Sequence, residues 1–182
     1  MSNQHDAAEH ASRFTPQSAK GKSILEVDGL TDYHSSITAN ITPEEAIERI
    51  SHVSDWWTNG FKGNSEKIGD TFTVKFGETF VDFKIVEVVP NRKIVWLVTD
   101  CNLHWIRNKT EWKDTKVVWE LTPEDGKTRI NMTHIGLAPK AECFNNCQAG
   151  WDFYVGESLL RLLTEGEGLP DVRRNKSSIR EG

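Results

Sequence analysis

The chain has 182 residues, 37% of them hydrophobic and 27% charged, which is typical of a globular protein with a substantial core. Its formal net charge is −5 and it has no long basic stretch, so neither nucleic acid nor an anionic membrane surface is an expected partner. No apolar run approaches the ~18 residues of a membrane span, and the N-terminal residues lack the charged-then-apolar order of a signal peptide. Three cysteines are too few for a secreted disulfide framework, so we expect a cytoplasmic protein.

Composition divides the chain into one domain and two tails. Residues 1–22 are polar, rich in small side chains and without hydrophobic period, which predicts a flexible N-terminal tail. Residues 169–182 predict a flexible C-terminal tail for the same reason. Residues 23–168 are predicted to form a single domain.

The first elements of this domain are a strand and two short helices. Apolar and polar residues alternate over 34–41, which predicts a strand. Thr42 then begins a helix, because it can cap the first turn, Pro43 fits the first helical position, and Glu45 completes a capping box. A second short helix around Trp56 follows.

From residue 69 onward the hydrophobic period changes to two, which predicts an antiparallel meander with one buried face. Gly77-Glu78 predicts a two-residue type II′ hairpin loop, and further turns are expected at Pro90-Asn91 and at 123–126. The segment 101–114 is a polar and aromatic connection without an assigned structure. The predicted inward-facing residues are Phe72, Val74, Phe76, Val81, Phe83, Ile85, Ile94, Trp96, Val98, Val117, Trp119, Leu121, Ile130, Met132 and His134.

The last element is a long amphipathic helix. At about 100° per residue, an apolar stripe centred on Trp151 runs from Phe144 to Leu162. Gly166 and Gly168 supply a left-handed stop. Such a helix must lie across the open face of the sheet to bury its stripe.

This order of elements resembles the helix-grip fold of the START-like, or SRPBCC, superfamily. The local motifs are similar to the branch named after the activator of the heat-shock-protein-90 ATPase, over residues 33–168. The matching motifs are ITANITPEEAIERISHVSDWW, ELTPEDGKTRINMTHIGL and GWDFYVGESLLRLL. The resemblance implies an α+β protein in which a curved antiparallel sheet of six to seven strands wraps around the C-terminal helix. Two features depart from that branch: residues before 33 cannot form the activator's additional N-terminal domain, and the insertion at 100–114 is peculiar to this chain's subgroup.

The helix-grip resemblance also implies a cavity between sheet and helix, lined by large apolar side chains with a few polar groups. Because a filled core would use the same side chains, the sequence leaves both interpretations open. His134 and Ser158 are the candidate polar contacts, although a hydrogen-bonded core histidine and a small helix-packing residue are the simpler interpretations. The candidate ligand-binding residues are Trp57, Phe72, Val74, Phe83, Trp96, Trp119, Met132, His134, Trp151, Tyr154, Val155 and Ser158.

Motifs for catalysis, metal or cofactor binding are missing from the sequence. Cys143 and Cys147 share a helix face, but a metal site would need two further ligands, so buried free thiols are expected. The chain has no nucleophile elbow, phosphate loop, dinucleotide fingerprint or zinc-protease motif. We therefore expect no metal and no cofactor.

The superfamily hosts lipid carriers, hormone receptors, cyclases and co-chaperones on one scaffold, so the fold does not decide the function. Our first hypothesis is binding of a small, largely apolar molecule in the cavity. The alternatives are a protein that interacts with a chaperone or another partner, and an enzyme of the cyclase or hydrolase kind, which we favour less. A large apolar cavity would favour the first, an exposed apolar patch over a filled core the second, and an inward acid/base pair the third.

Overall fold

The computed structural model describes residues 31–172, so the predicted tail at 1–22 lies outside the described residues. The strands are β1 (Tyr33–Ala39), β2 (Phe61–Gly63), β3 (Thr71–Phe76), β4 (Thr79–Val89), β5 (Lys93–Asn102), β6 (Lys116–Glu124) and β7 (Lys127–Ile135). The helices are α1 (Pro43–Ser51), α2 (Val53–Trp56), α3 (Phe144–Phe153) and α4 (Leu160–Glu165), with a π-helical turn (Tyr154–Leu159) between the last two.

The seven strands form one antiparallel sheet in the order β1-β7-β6-β5-β4-β3-β2. The segment from α3 through α4 runs on as one C-terminal helix of residues 144–165. The predicted helix-grip fold of the α+β class is confirmed. Within the described residues, no helix is long and apolar enough to cross a membrane.

The start of α1 carries the predicted capping box. The Thr42 hydroxyl accepts a hydrogen bond from the Glu45 backbone N–H at 3.2 Å, and the Glu45 carboxylate accepts from the Thr42 backbone N–H at 3.1 Å. Pro43 occupies the first helical position. These local contacts satisfy two of the free N–H groups of the first turn.

Two turns of the meander show how local residues fix the strand ends. Gly77 has φ 62° between β3 and β4, and a two-residue loop with positive φ at its first position is the predicted type II′ turn. The prediction of a loop over 123–126 was too long, because β6 continues to Glu124. The turn is instead Asp125-Gly126, with φ values of 50° and 77°. Both residues have positive φ, as a type I′ hairpin turn requires.

The C-terminal helix ends at Gly166, whose φ of 82° is the left-handed conformation of a helix stop. The chain beyond it returns to α2, so residues just past the predicted domain boundary at 168 contact the rest of the fold. Leu169 N–H donates to the Ser158 hydroxyl at 2.7 Å, and Asp171 accepts from the Thr58 hydroxyl at 2.8 Å. Gly168 allows this approach, since a Cβ there would lie 2.3 Å from the Asp55 carbonyl oxygen. Leu169 and Asp171 are therefore held against α2 and the π-helical turn, and residues 173–182 lie outside the described residues.

The core between the central strands and the helix is filled by aromatic rings. Phe72 stacks on Phe83 with ring centroids 4.9 Å apart. Trp96 meets Phe72 edge-on at 5.1 Å and lies 5.3 Å from Trp119. The indole N–H groups of Trp96 and Trp119 have no hydrogen-bond partner among the described residues. Their position is therefore fixed by packing rather than by hydrogen bonding.

Candidate ligand cavity

A cavity of about 560 Å³ lies beside this filled core. Its walls come from the β3–β4 hairpin, from residues 103–115 between β5 and β6, from the first half of the C-terminal helix, and from Trp57 at the end of α2. Residues 103–115 are called the β5–β6 loop. The lining residues are Trp57, Val74, Phe76, Gly77, Glu78, Thr79, Val81, Leu103, His104, Trp105, Trp112, Asn146, Cys147, Gly150, Trp151 and Tyr154.

Three tryptophans form the buried end of the cavity. Trp57 is 5% exposed, Trp112 is 7% and Trp151 is 2%. The Trp112 and Trp151 rings are nearly parallel, with centroids 6.0 Å apart and 6° between their planes, and Trp57 lies 4.8 Å from Trp151. The cavity therefore offers broad aromatic faces at its base.

Four of the twelve sequence-predicted residues line this cavity, namely Trp57, Val74, Trp151 and Tyr154. The other eight do not line it, and each is at most 2% exposed. The reason is mutual packing, because the central strands present side chains large enough to reach one another and the helix. The eight residues placed in the core are Phe72, Phe83, Trp96, Trp119, Met132, His134, Val155 and Ser158.

His134 lies behind the cavity wall, where it positions the aromatic side chains. The Trp151 indole N–H donates to His134 Nδ1 at 3.1 Å. His134 Nε2 lies 2.9 Å from the Thr115 hydroxyl, which itself donates to the Trp112 carbonyl. The histidine is thus the neutral Nε2–H form, accepting at Nδ1 and donating at Nε2. Burial lowers the pKa of His134 to about 3.

Ser158 is likewise a structural residue. Its hydroxyl donates to the Trp56 carbonyl oxygen at 2.6 Å and accepts from the Leu169 backbone N–H. One side chain therefore holds the π-helical turn, α2 and the returning C-terminal segment together. The same turn carries Tyr154 to the cavity, and π-helical turns are frequently found at functional sites.

The β5–β6 loop is held against the start of α3 by two carboxylates. Glu142 accepts from the backbone N–H groups of Arg107 and Asn108 at 2.9 and 3.1 Å. Glu111, from the loop, accepts from the N–H groups of Glu142 and Cys143 at 2.6 and 2.9 Å. The backbone hydrogen bonds lower the pKa of Glu142. Each segment thus satisfies free N–H groups of the other.

The thiols of Cys143 and Cys147 are parts of the wall between this loop and the helix. The Trp112 indole N–H donates to Cys143 Sγ at 3.2 Å, and Cys147 borders the cavity. A hydrogen bond to Cys143, together with burial, raises the pKa of the Cys147 thiol. A buried thiol that stays protonated contributes to packing rather than to nucleophilic chemistry. Within residues 31–172, no group of three or more His, Cys, Asp or Glu side chains is arranged to hold a metal ion.

Sequence reasoning missed most of the β5–β6 loop's contribution. Leu103, His104, Trp105 and Trp112 all line the cavity, and the concentration of aromatic residues in a polar connection was the available signal. Asn146 and Gly150 were missed because they lie outside the apolar stripe of the helix, whereas the cavity touches two neighbouring faces. Cys147 lies on the stripe but was interpreted only as a buried free thiol.

A sequence profile of the family described as "Activator of Hsp90 ATPase homolog 1-like protein" matches residues 45–164, which is more than half of the chain. The chain belongs to this family. It is the branch of the SRPBCC superfamily that the sequence motifs predicted, and its fold is generally that of a ligand-binding domain. No functionally curated protein matched the chain.

Solved structures share the fold at low sequence identity. An Aha1 dimer from Colwellia psychrerythraea is 21% identical, with a TM-score of 0.62 over 76% of this chain and 99% of that one. Protein MLL2253 from Mesorhizobium loti is 17% identical, with a TM-score of 0.58 over 75% of this chain and 100% of that one. At these identities the likeness establishes the fold alone.

Proposed function

We propose that the chain binds one small, largely apolar molecule in the cavity between the β3–β4 hairpin, the β5–β6 loop and the C-terminal helix. The observation that carries this proposal is the cavity itself. Its volume of about 560 Å³ lies within the roughly 300–1,000 Å³ of small-molecule sites. The central core is filled, so this volume is a separate feature and not loose packing.

The chemistry of the walls supports an aromatic or polycyclic ligand. Trp57, Trp112 and Trp151 present rigid faces at the buried end, and flat rings gain both area burial and stacking against such faces. Val74 and Val81 supply aliphatic contacts on the opposite, sheet side. The three cysteines are free and buried, as is usual for a protein of the reducing cytoplasm, which we propose as its location.

The enzymatic alternative has less support. An acid/base pair facing the cavity would favour it, but His134 is outside the cavity and both its ring nitrogens are engaged. The pair that does face the cavity is Thr79 and His104, with Oγ1 and Nδ1 2.6 Å apart. No carboxylate among residues 31–172 hydrogen-bonds the His104 ring, so the pair lacks the third group that orients such a base. The chaperone-partner alternative rests on the family resemblance alone.

The test is titration with N-phenyl-1-naphthylamine, a neutral aromatic probe, followed by its own fluorescence and by quenching of tryptophan emission. We expect saturable one-to-one binding. Val81→Phe, on the inner side of β4, fills part of the cavity and should weaken binding by about tenfold or more. Val86→Phe, on the same strand but 36% exposed, is the matched control and should leave the affinity within about twofold.

Folding of both variants is checked by circular dichroism and thermal unfolding. No saturable binding by the wild type would refute the proposal. Equal affinities for wild type and a folded Val81→Phe variant would also refute it, because the probe would then be bound elsewhere.

A further inference from the structure

We propose that the cavity selects aromatic molecules that carry a cationic head group, such as an aryl-alkyl ammonium. This inference rests on the proposed function and adds the charge of the ligand to it. It follows from which lining residues are exposed, which are buried, and what charge they carry.

The exposed lining residues define the mouth of the cavity. Glu78, His104, Trp105 and Asn146 are exposed, whereas the tryptophans at the base are buried. A ligand therefore meets polar groups at one end and aromatic faces at the other. This arrangement favours a molecule with an apolar body and a polar head.

The side chains that line the cavity include an acidic group but no basic one, although the Lys109 ammonium donates to the carbonyl oxygen of His104 at the mouth at 2.7 Å. Among the described residues that line the cavity, Glu78 is the single carboxylate, and there is no lysine or arginine. Glu78 also makes no ion pair with the described residues. A cationic head would gain a Coulomb partner there, whereas a carboxylate head would meet a like charge.

Aromatic faces strengthen the same preference. Trp105 is 41% exposed at the mouth, and the Phe76 and Tyr154 rings lie 6.0 Å apart just inside. Ring faces attract cations, and groups of aromatic side chains are the usual recognition site for alkylated ammonium ions.

The position of Glu78 is fixed by its neighbours. It is the second residue of the β3–β4 turn, and the Asn102 side-chain amide donates to its carbonyl oxygen at 2.9 Å. On the other side of the mouth, Thr79 contacts His104 of the β5–β6 loop. The turn is therefore tied to both β5 and the loop, which keeps the backbone of Glu78 at the entrance.

The experiment compares three probes with the same naphthalene body: 2-naphthylmethylamine, 2-naphthalenemethanol and 2-naphthoic acid. They are titrated at neutral pH by quenching of tryptophan emission and by calorimetry. We expect the ammonium probe to bind about fivefold or more tighter than the alcohol, and the carboxylate probe to bind most weakly. Raising ionic strength from about 0.02 M to about 0.5 M should reduce the ammonium advantage, because the mouth is exposed to solvent.

Glu78→Gln should remove most of the difference in affinity between the ammonium and alcohol probes. Glu120→Gln is the matched control, since Glu120 is exposed on β6 and does not line the cavity. It should change none of the three affinities.

The outcomes separate this inference from the proposed function. If the alcohol binds and the ammonium probe binds no more tightly, the charge preference is refuted and the cavity remains a site for apolar molecules. If the ammonium preference persists unchanged in Glu78→Gln, the assignment of Glu78 is refuted. If no probe of the series binds, the proposed function itself fails.

Discussion

His134 should make the stability of this protein fall as the pH drops below about 6.5. The imidazole is fully buried, and both its nitrogens are engaged in the neutral form. Protonation would place a second N–H at Nδ1, which faces the Trp151 indole N–H and not an acceptor. Burial and this geometry both favour the neutral ring, in agreement with a pKa lowered to about 3.

The magnitude follows from the two pKa values. The unfolded chain titrates near the ordinary histidine value of 6.5 and the folded chain near 3, so between these values the unfolded state binds one more proton. The free energy of unfolding is then lost with falling pH, by about 1.4 kcal/mol per pH unit. Between pH 7.5 and pH 4.5 His134 alone should remove about 2.7 kcal/mol.

The measurement is urea denaturation at several pH values between 7.5 and 4.5, for wild type and His134→Gln. The variant is less stable at neutral pH, but glutamine has no titratable group. Between pH 7.5 and pH 4.5 its free energy of unfolding should therefore fall by about 2.7 kcal/mol less than that of wild type. His34→Gln, at an exposed position of β1 across from Thr133, is the matched control for the loss of a histidine side chain. Equal pH dependence in wild type and His134→Gln would show that the folded state accepts the proton and that the buried neutral ring is wrongly assigned.

Three further predictions concern the walls of the cavity. Trp151→Ala should reduce the free energy of unfolding by about 3 kcal/mol, near the lower end for a buried tryptophan because one face borders the cavity; a loss under about 1 kcal/mol in denaturation would contradict its place in the wall. Ser158→Ala should cost about 2 kcal/mol, since the Trp56 carbonyl and the Leu169 N–H lose their partner, and an unchanged melting temperature would exclude that tie. Glu142→Gln should loosen the β5–β6 loop and speed trypsin cleavage within it. Glu157→Gln, at an exposed position of the C-terminal helix, should leave the cleavage rate unchanged. Cleavage of Glu142→Gln at the wild-type rate would mean that the Glu142 carboxylate does not hold the loop.

Local signals in the sequence were sufficient for most of the fold. Thr42, Pro43 and Glu45 specify a helix start through contacts three residues apart, and Gly77 specifies a hairpin through its own backbone conformation. Alternation assigned the buried faces of the central strands. The three-residue strand β2 was missed, because so short a segment carries no period. The π-helical turn has no local signature either, since it inserts one residue into an otherwise regular helical pattern.

The candidate site, like the fold, could be predicted from the sequence only in part. The sequence determined that Trp57, Trp151 and Tyr154 face inward, and it assigned the family through motifs that the profile match confirmed. It did not determine that Phe72 and Trp96 fill their space while Trp151 borders a void. That depends on the distance between helix and sheet, which is set by contacts between distant residues such as the Tyr33 hydroxyl and Asp152, 2.5 Å apart.

The tertiary structure also decided where the polar groups act. His134 shares the inward strand face with Met132, as alternation predicts, yet its ring is used by Trp151 and Thr115. The groups at the cavity mouth come instead from the β3–β4 turn, the β5–β6 loop and the start of α3. Side-chain direction follows from the two-residue period of a strand, but the partner that a side chain meets depends on segments far away in sequence. A loop without period is placed by long-range contacts, such as the hydrogen bonds of Glu111 and Glu142 that join it to the start of α3.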